Sequence, residues 1–227
     1  MSNKPTRKRG FHAANVAVIG LGRFGSALAA ELVSGGHQVL GIDSDEKVVQ
    51  ALSGDLTHVV AADTTDEETL KELGIGEMDS AVVAIGADLE SSILTTSLLL
   101  QLGVKQVWAK ANSSAHGKIL RQLGAHHVIF PEYEMGRRVA HQVSGESLDY
   151  VQIDEDFVMV KVQCPPSFDG QSLAELKIRG KYEVTVVAFS HGDANYTPAF
   201  PETVLHEGDH LVVAGRKKPL DEFVQLD

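Results

Sequence analysis

A chain of 227 residues, 43% hydrophobic and 22% charged, can bury one full core and a smaller second one. Its formal net charge of -11 at pH 7 argues against a nucleic acid polymer as partner, because a phosphate backbone calls for a basic surface. One cysteine, Cys164, precludes an internal disulfide and points to a reducing compartment, and no apolar run approaches the roughly 18 residues of a membrane span, so a soluble cytoplasmic protein is expected.

Residues 1–14 carry Lys4, Arg7, Lys8 and Arg9 with no apolar segment behind them, which reads as a disordered basic tail rather than a signal peptide. From residue 15 to 144 the sequence alternates strand-like and helix-like units. "NVAVIG" is followed by "RFGSALAAELVSGG", "HQVLGID" by "SDEKVVQAL", and "THVVAAD" by "TDEETLKELGI", whose acidic first turn suits a helix N-terminus. "DSAVVAIG" precedes "DLESSILTTSLLLQLG", with Asp88 as the expected cap. "KQVWAKA" with "SAHGKILRQLGA" and "HHVIF" with "PEYEMGRRVAHQVS" complete the series, Pro131 standing at a first helical position. Continuous apolar strands alternating with helices predict right-handed βαβ units, and so a doubly wound, Rossmann-like parallel sheet covered on both faces.

The pattern breaks at 145–152, a polar, acidic stretch that reads as a linker. Residues 153–227 then hold "FVMVKVQC", a short helix "GQSLAEL", strands "YEVTVVAFSH" and "GDHLVVAG", and a last helix "KKPLDEFVQL". A small α+β domain is expected there, with Val186 and Val187 in its core.

The strand–loop–helix at Gly20-Leu21-Gly22-Arg23-Phe24-Gly25 is built for phosphates. Gly20 permits the tight turn, Gly22 lets the backbone approach a pyrophosphate, and Gly25 lets helix and strand pack closely. The helix N-terminus behind them offers unpaired N–H groups and a positive dipole. Asp43, ending the next strand, stands where a carboxylate accepts both hydroxyls of an adenosine ribose and repels a 2′-phosphate. NAD, ATP and ADP share that ribose, so Asp43 does not separate them. Arg23 offers charge beyond what a diphosphate requires, and so suits a terminal phosphate; a solvated tip is the plainer reading.

Catalytic groups are scarce. No tyrosine is followed four residues later by lysine, the ten histidines are scattered without metal-ligand spacing, and the second domain is too small to close over a substrate. A nucleotide site without a reaction centre suggests a sensor rather than an enzyme.

These residues sit among further motifs, "AADTTDEETL", "VVAIGADLESSILTTSLLLQLGV", "VWAKA" and "HHVIFPEYEMGRRVA". In that order they resemble the RCK proteins, the cytosolic gating subunits of bacterial Ktr/Trk potassium uptake systems. The likeness runs from Val16 to the C-terminus and fits a single-copy Ktr-type subunit, with a TrkA-N part and a TrkA-C part. It implies a homo-oligomer, an octameric ring of dimers, docked through a potassium-translocating membrane subunit on the inner face of the cell membrane. ATP would favour the conducting ring and ADP the inactive one, with NAD or NADH as further occupants.

Carried over by position, Gly20, Gly22, Arg23, Phe24 and Gly25 match the phosphate loop, with Arg23 at the γ-phosphate. Asp43 matches the ribose acid, with Ser44 and Asp45 beside the adenosine. Asp63 and Thr64 match the adenine edge, and Ala84, Ile85 and Gly86 the strand end below the nucleotide. Lys110 matches a second phosphate-side cation. Glu132 matches a carboxylate that reaches a neighbouring subunit's nucleotide and helps hold a divalent cation such as Mg2+; on local sequence alone it is a helix N-terminal carboxylate. In the second domain the resemblance implies a cyclic di-AMP site at Arg179, Gly180 and Pro198. A nicotinamide-dependent oxidoreductase and an NADH redox sensor stay open as alternatives.

Overall fold

The computed structural model describes residues 13–143, 149–192 and 194–226. Residues 1–12 of the expected tail and 145–148 of the expected linker lie outside the described residues. The chain divides into two compact units, one closing at Glu132 and one running from Tyr133.

The first unit is built on six parallel strands: β1 (Asn15–Ile19), β2 (Gln38–Asp43), β3 (His58–Ala61), β4 (Ser80–Val83), β5 (Val107–Lys110) and β6 (His127–Ile129). They lie in the order β3-β2-β1-β4-β5-β6, the doubly wound arrangement expected from the sequence. The connections run through α1 (Arg23–Ser34), α2 (Glu46–Leu52), α3 (Glu67–Glu72), α4 (Leu89–Gln101) and α5 (Ser114–Leu123). β6 leads into α6 (Pro131–Val143), with Pro131 at its start.

Both faces of this sheet are covered, and β1 shows how. Ala17 and Ile19 join Ile42, Leu70, Val83, Leu99 and Leu120 on one face, while Val16 and Val18 join Leu21, Ala29, Val39 and Val82 on the other. A strand buried on both sides has no polar positions to alternate, hence its continuous apolar run. Asp88 caps α4 as expected, accepting from the Glu90 and Ser91 N–H groups. α4 carries Ser92, Thr95 and Thr96 on its buried side. Thr95 reaches the Thr64 hydroxyl at 2.9 Å in the segment after β3, and Thr96 donates back to the Ser92 carbonyl one turn earlier, whereas the buried Ser92 hydroxyl finds no partner among the described residues.

The second unit holds a five-stranded sheet: β7 (Asp149–Gln152), β8 (Phe157–Gln163), β9 (Val184–Ser190), β10 (Thr197–Pro198) and β11 (His210–Arg216), in the order β10-β9-β11-β8-β7. All its pairings are antiparallel. Two short helices, α7 (Leu173–Leu176) and α8 (Ile178–Tyr182), and the terminal α9 (Lys217–Val224) accompany it. β8 alternates buried and less buried residues, as "FVMVKVQ" predicts, and Phe168, Tyr182 and Phe223 meet as an aromatic cluster in the core.

Three expectations differ from this structure. The segment expected as a linker includes β7, which pairs with β8 from Asp149 to Gln152. Its polar composition is that of a half-solvated edge strand: Tyr150 packs on the core, and Arg138 holds the Asp149 carboxylate in two hydrogen bonds of 2.8 Å. The first domain, expected to run to 144, closes instead at Glu132 inside α6, because a continuous helical pattern carries no mark of where its packing changes. Val187 is 42% exposed rather than core. The register between β9 and β11 shifts between Val212 and Val213, so Val187 is the extra residue of a bulge while Val186 stays buried.

Cys164 is buried, and burial pushes its thiol up to about 11, with the charges of Asp209 and Asp169 adding to the effect. At pH 8 about one molecule in a thousand would carry the thiolate, the reactive form. Native protein is therefore expected to resist iodoacetamide at pH 8 and to react within minutes in urea. Fast alkylation of the native chain would contradict the buried placement.

Candidate functional site

The carboxyl ends of the parallel strands converge where the strand order reverses, between β1 and β4, and an open α/β sheet binds ligands at such a point. Each strand ends in or shortly before a residue singled out above. β1 gives way to Gly20, whose φ of +89° is one a side chain rarely adopts, and its N–H donates to the Ile42 carbonyl at 2.8 Å. The chain then turns into α1 with Gly22 as N-cap, and no side chain caps the helix. A Cβ on Gly25 would lie 1.9 Å from the Gly20 carbonyl oxygen, so α1 rests directly on the loop. A Cβ on Gly22 would meet no atom within 4 Å. The first glycine makes the turn, the third the contact, and the second faces open space beside an uncapped helix N-terminus.

Asp43, half-buried at the end of β2, accepts from the Leu21 N–H at 2.7 Å and from the Asp45 N–H at 2.9 Å. It fastens the glycine loop to the turn before α2. Ser44 is exposed beside it, and the Asp45 carboxylate caps α2 through the Lys47 N–H. After β3, Asp63 is exposed, and the Thr65 hydroxyl and N–H hold its carboxyl below the usual carboxylate range. Thr64 is buried and spends its hydroxyl on Thr95. At the end of β4, the Ala84 N–H donates to the Ile19 carbonyl, Ile85 packs against the core, and Gly86 is exposed.

The charged groups gather on the β4–β5–β6 side. Lys110 is almost fully buried, and its Nζ lies 2.5 Å from Glu132 Oε1, within 5.8 Å of the Phe24 ring centre, and 3.4 Å from where a Gly86 Cβ would stand. Lys110 foremost, and the charge of Arg23 to a lesser degree, hold the Glu132 carboxyl below its ordinary range. Arg23, Phe24, Gly86, Lys110 and Glu132 are thus one neighbourhood, although they come from four separate stretches of sequence. Glu132 is paired inside its own chain. Among the described residues no three His, Cys, Asp or Glu side chains converge as a metal cage.

Two groups escape the sequence reading. The Asn112 side chain donates to the Gly86 carbonyl and fixes the strand end, and the Leu21 amide holds Asp43. Neither a lone asparagine two residues past a lysine nor a backbone amide has a spacing that could reveal it. In the second unit, Arg179 and Gly180 lie on α8 and Pro198 on β10; Arg179 Nε donates to Thr185 Oγ1 at 3.2 Å, and Pro198 pairs with Ala188. All three are exposed, and among the described residues no hydrogen bond or ion pair joins Arg179 to Pro198.

Comparison with known proteins places these features in context. The TrkA-N domain family matches residues 16–131 and the TrkA-C domain family residues 157–226. The Ktr system potassium uptake protein A of Bacillus subtilis (strain 168) is 40% identical over 209 residues, 91% of this chain and 94% of that protein. Among solved structures, the GsuK RCK domain superposes with a TM-score of 0.65 at 20% identity, covering 100% of this chain and 50% of that one. The GsuK channel bound to NAD gives 0.64 at 18% identity, covering 94% of this chain and 39% of that one. At these identities the two structures speak for the fold alone. Among the described residues no helix is long and apolar enough to cross a membrane.

Proposed function

Because this chain belongs to the TrkA-N/TrkA-C family, which includes the Ktr potassium uptake proteins, we propose that it is a cytoplasmic, nucleotide-sensing regulatory subunit of a potassium transporter. It binds adenine nucleotides without turning them over, and the bound state biases the shape of a homo-oligomeric ring of dimers against a membrane-embedded translocating subunit. The observation that carries this reading is the Lys110–Glu132 pair beside Phe24 and within the field of Arg23, at the mouth of an uncapped glycine loop. Charge on that side exceeds what a pyrophosphate on the loop amides requires, so a further phosphate finds cations waiting for it.

The residues fit the group. The space over Gly22 would admit a pyrophosphate, Asp43 at the end of β2 would stand beside a ribose, and Lys110 and Arg23 would take the terminal oxygens. Glu132 opposes a phosphate placed on Lys110 unless it moves away or shares a cation with it. One carboxylate together with phosphate oxygens is a usual Mg2+ mode. Differential contacts of this kind are what a two-state switch requires. A cyclic dinucleotide such as cyclic di-AMP at Arg179, Gly180 and Pro198 is a separate part of the proposal. The exposed Arg179 guanidinium, bonded to one neutral hydroxyl, supports it.

Calorimetric titration with ATP, ADP and NADH, with and without Mg2+, tests the reading. ATP and ADP are expected to bind at micromolar concentration. Arg23→Ala should weaken ATP by about tenfold, near 1.4 kcal/mol, and leave ADP within roughly threefold. NADH preferred over ATP by about tenfold, with indifference to Arg23, would replace this reading with a redox sensor or an oxidoreductase.

A further inference from the structure

The second unit carries a cluster that the nucleotide reading does not use. His191 follows β9, and its Nδ1 lies 2.7 Å from Oδ1 of Asp209, whose side chain is only 3% exposed. The other oxygen of Asp209 accepts from the His206 N–H at 2.9 Å. The His206 Nδ1 in turn lies 3.5 Å from Oδ1 of Asp169, which is itself fixed by the Glu207 N–H at 3.0 Å. Both imidazoles therefore turn Nδ1 toward a carboxylate. At hydrogen-bond distance, as for His191, a neutral ring keeps its proton on Nδ1 and leaves the Nε2 lone pair free; His206, at 3.5 Å, stands within ion-pair reach of its carboxylate and is turned the same way.

We propose that His191 and His206 form a binding site for a divalent transition metal ion of the Zn2+ type, with Asp209 and Asp169 orienting the two rings from behind. The ring centres lie 5.8 Å apart with an interplanar angle of 42°. Two imidazoles sharing one zinc at the usual Zn–N length of about 2.0–2.1 Å bring their centres to roughly 5–6 Å. A carboxylate behind each ligating imidazole fixes the tautomer and makes the free nitrogen a better donor. Both rings are more than half exposed, so the metal side is reachable from solvent. Imidazole selects zinc, copper or nickel over Mg2+ or Ca2+, which separates this site from any phosphate-bound cation.

The described residues bring no third His, Cys, Asp or Glu to the same point. The remaining positions belong to water, and the site is exchangeable rather than a permanent structural centre. Occupancy would tie the end of β9 to the turn that enters β11, so it should register in thermal stability as well as in binding.

The test titrates full-length protein with ZnCl2 in excess MgCl2, by calorimetry and by thermal melting. One Zn2+ per chain at micromolar affinity is expected, with a rise in Tm. His206→Ala and His191→Ala should each weaken Zn2+ by at least tenfold, Asp169→Asn by severalfold, and His58→Ala in the first unit not at all. His191→Ala also strips a buried carboxylate of its partner and costs stability on its own, so His206→Ala is the deciding variant. X-ray absorption of the zinc-loaded chain should count two imidazole nitrogens. Zn2+ affinity that survives either histidine substitution, or no uptake up to about 1 mM, overturns the site.

Discussion

Gly25→Ala is expected to lower the melting temperature by roughly 10 °C or more, while Gly22→Ala melts within a few degrees of the parent and loses nucleotide binding by about a hundredfold. The two positions are three residues apart in one loop, yet they fail for opposite reasons. At Gly25 the added carbon would sit 1.9 Å from the Gly20 carbonyl oxygen, and main chain cannot swing aside as a side-chain tip can. Overpacking of that kind costs about 3 kcal/mol. At Gly22 the backbone is extended and the added methyl meets nothing, so the folded chain tolerates it apart from a weaker N-cap. The same methyl occupies the space a pyrophosphate would need. Circular dichroism melts paired with calorimetry separate the two effects. A Gly22→Ala protein that binds ATP normally would remove the glycine loop from the site.

The second large effect concerns Lys110 and Glu132. Lys110→Met should weaken ATP and ADP by about thirtyfold, near 2 kcal/mol, the scale of a hydrogen bond to a charged group. Glu132→Gln should act in the opposite direction in EDTA, tightening ATP by about tenfold, because the ammonium then no longer has to release a carboxylate. With saturating Mg2+ that gain should shrink or reverse, since the carboxylate would share the cation. Titrations of the two single variants and the double variant, in EDTA and in Mg2+, form a cycle that isolates the coupling. Weaker metal-free ATP binding by Glu132→Gln would mean that the carboxylate assists the phosphate directly, contrary to the competition argued here.

Much of the first domain was legible because its strands are buried on both faces. Val16 to Ile19 and Ala81 to Val83 read as unbroken apolar runs, and Asp88 and Pro131 mark helix starts by their own chemistry. The glycine loop was legible for the same local reason, since turn, approach and packing are each the property of one residue. What spacing could not show is convergence. Lys110 and Glu132 stand 22 positions apart, and nothing in either neighbourhood says that one will neutralise the other. β7 was missed because an edge strand shares the composition of a loop, and Val187 because a one-residue bulge reverses the side to which a strand's alternation points. His191 and His206 read as isolated histidines, and only the turn between β10 and β11 brings their rings together.

Asp43 bears on how far this scaffold can be retuned. In many dinucleotide folds the acid after the second strand is a replaceable reader of the ribose, and exchanging it redirects the fold toward a 2′-phosphate. Here both of its oxygens are already engaged, one by the Leu21 amide of the glycine loop and one by the Asp45 amide. With Asp43 as the proposed reader of the ribose, specificity and architecture would share a single side chain. Exchanging this acid would also release the loop it fastens, so the route by which such folds trade one cofactor for another is obstructed from its first step.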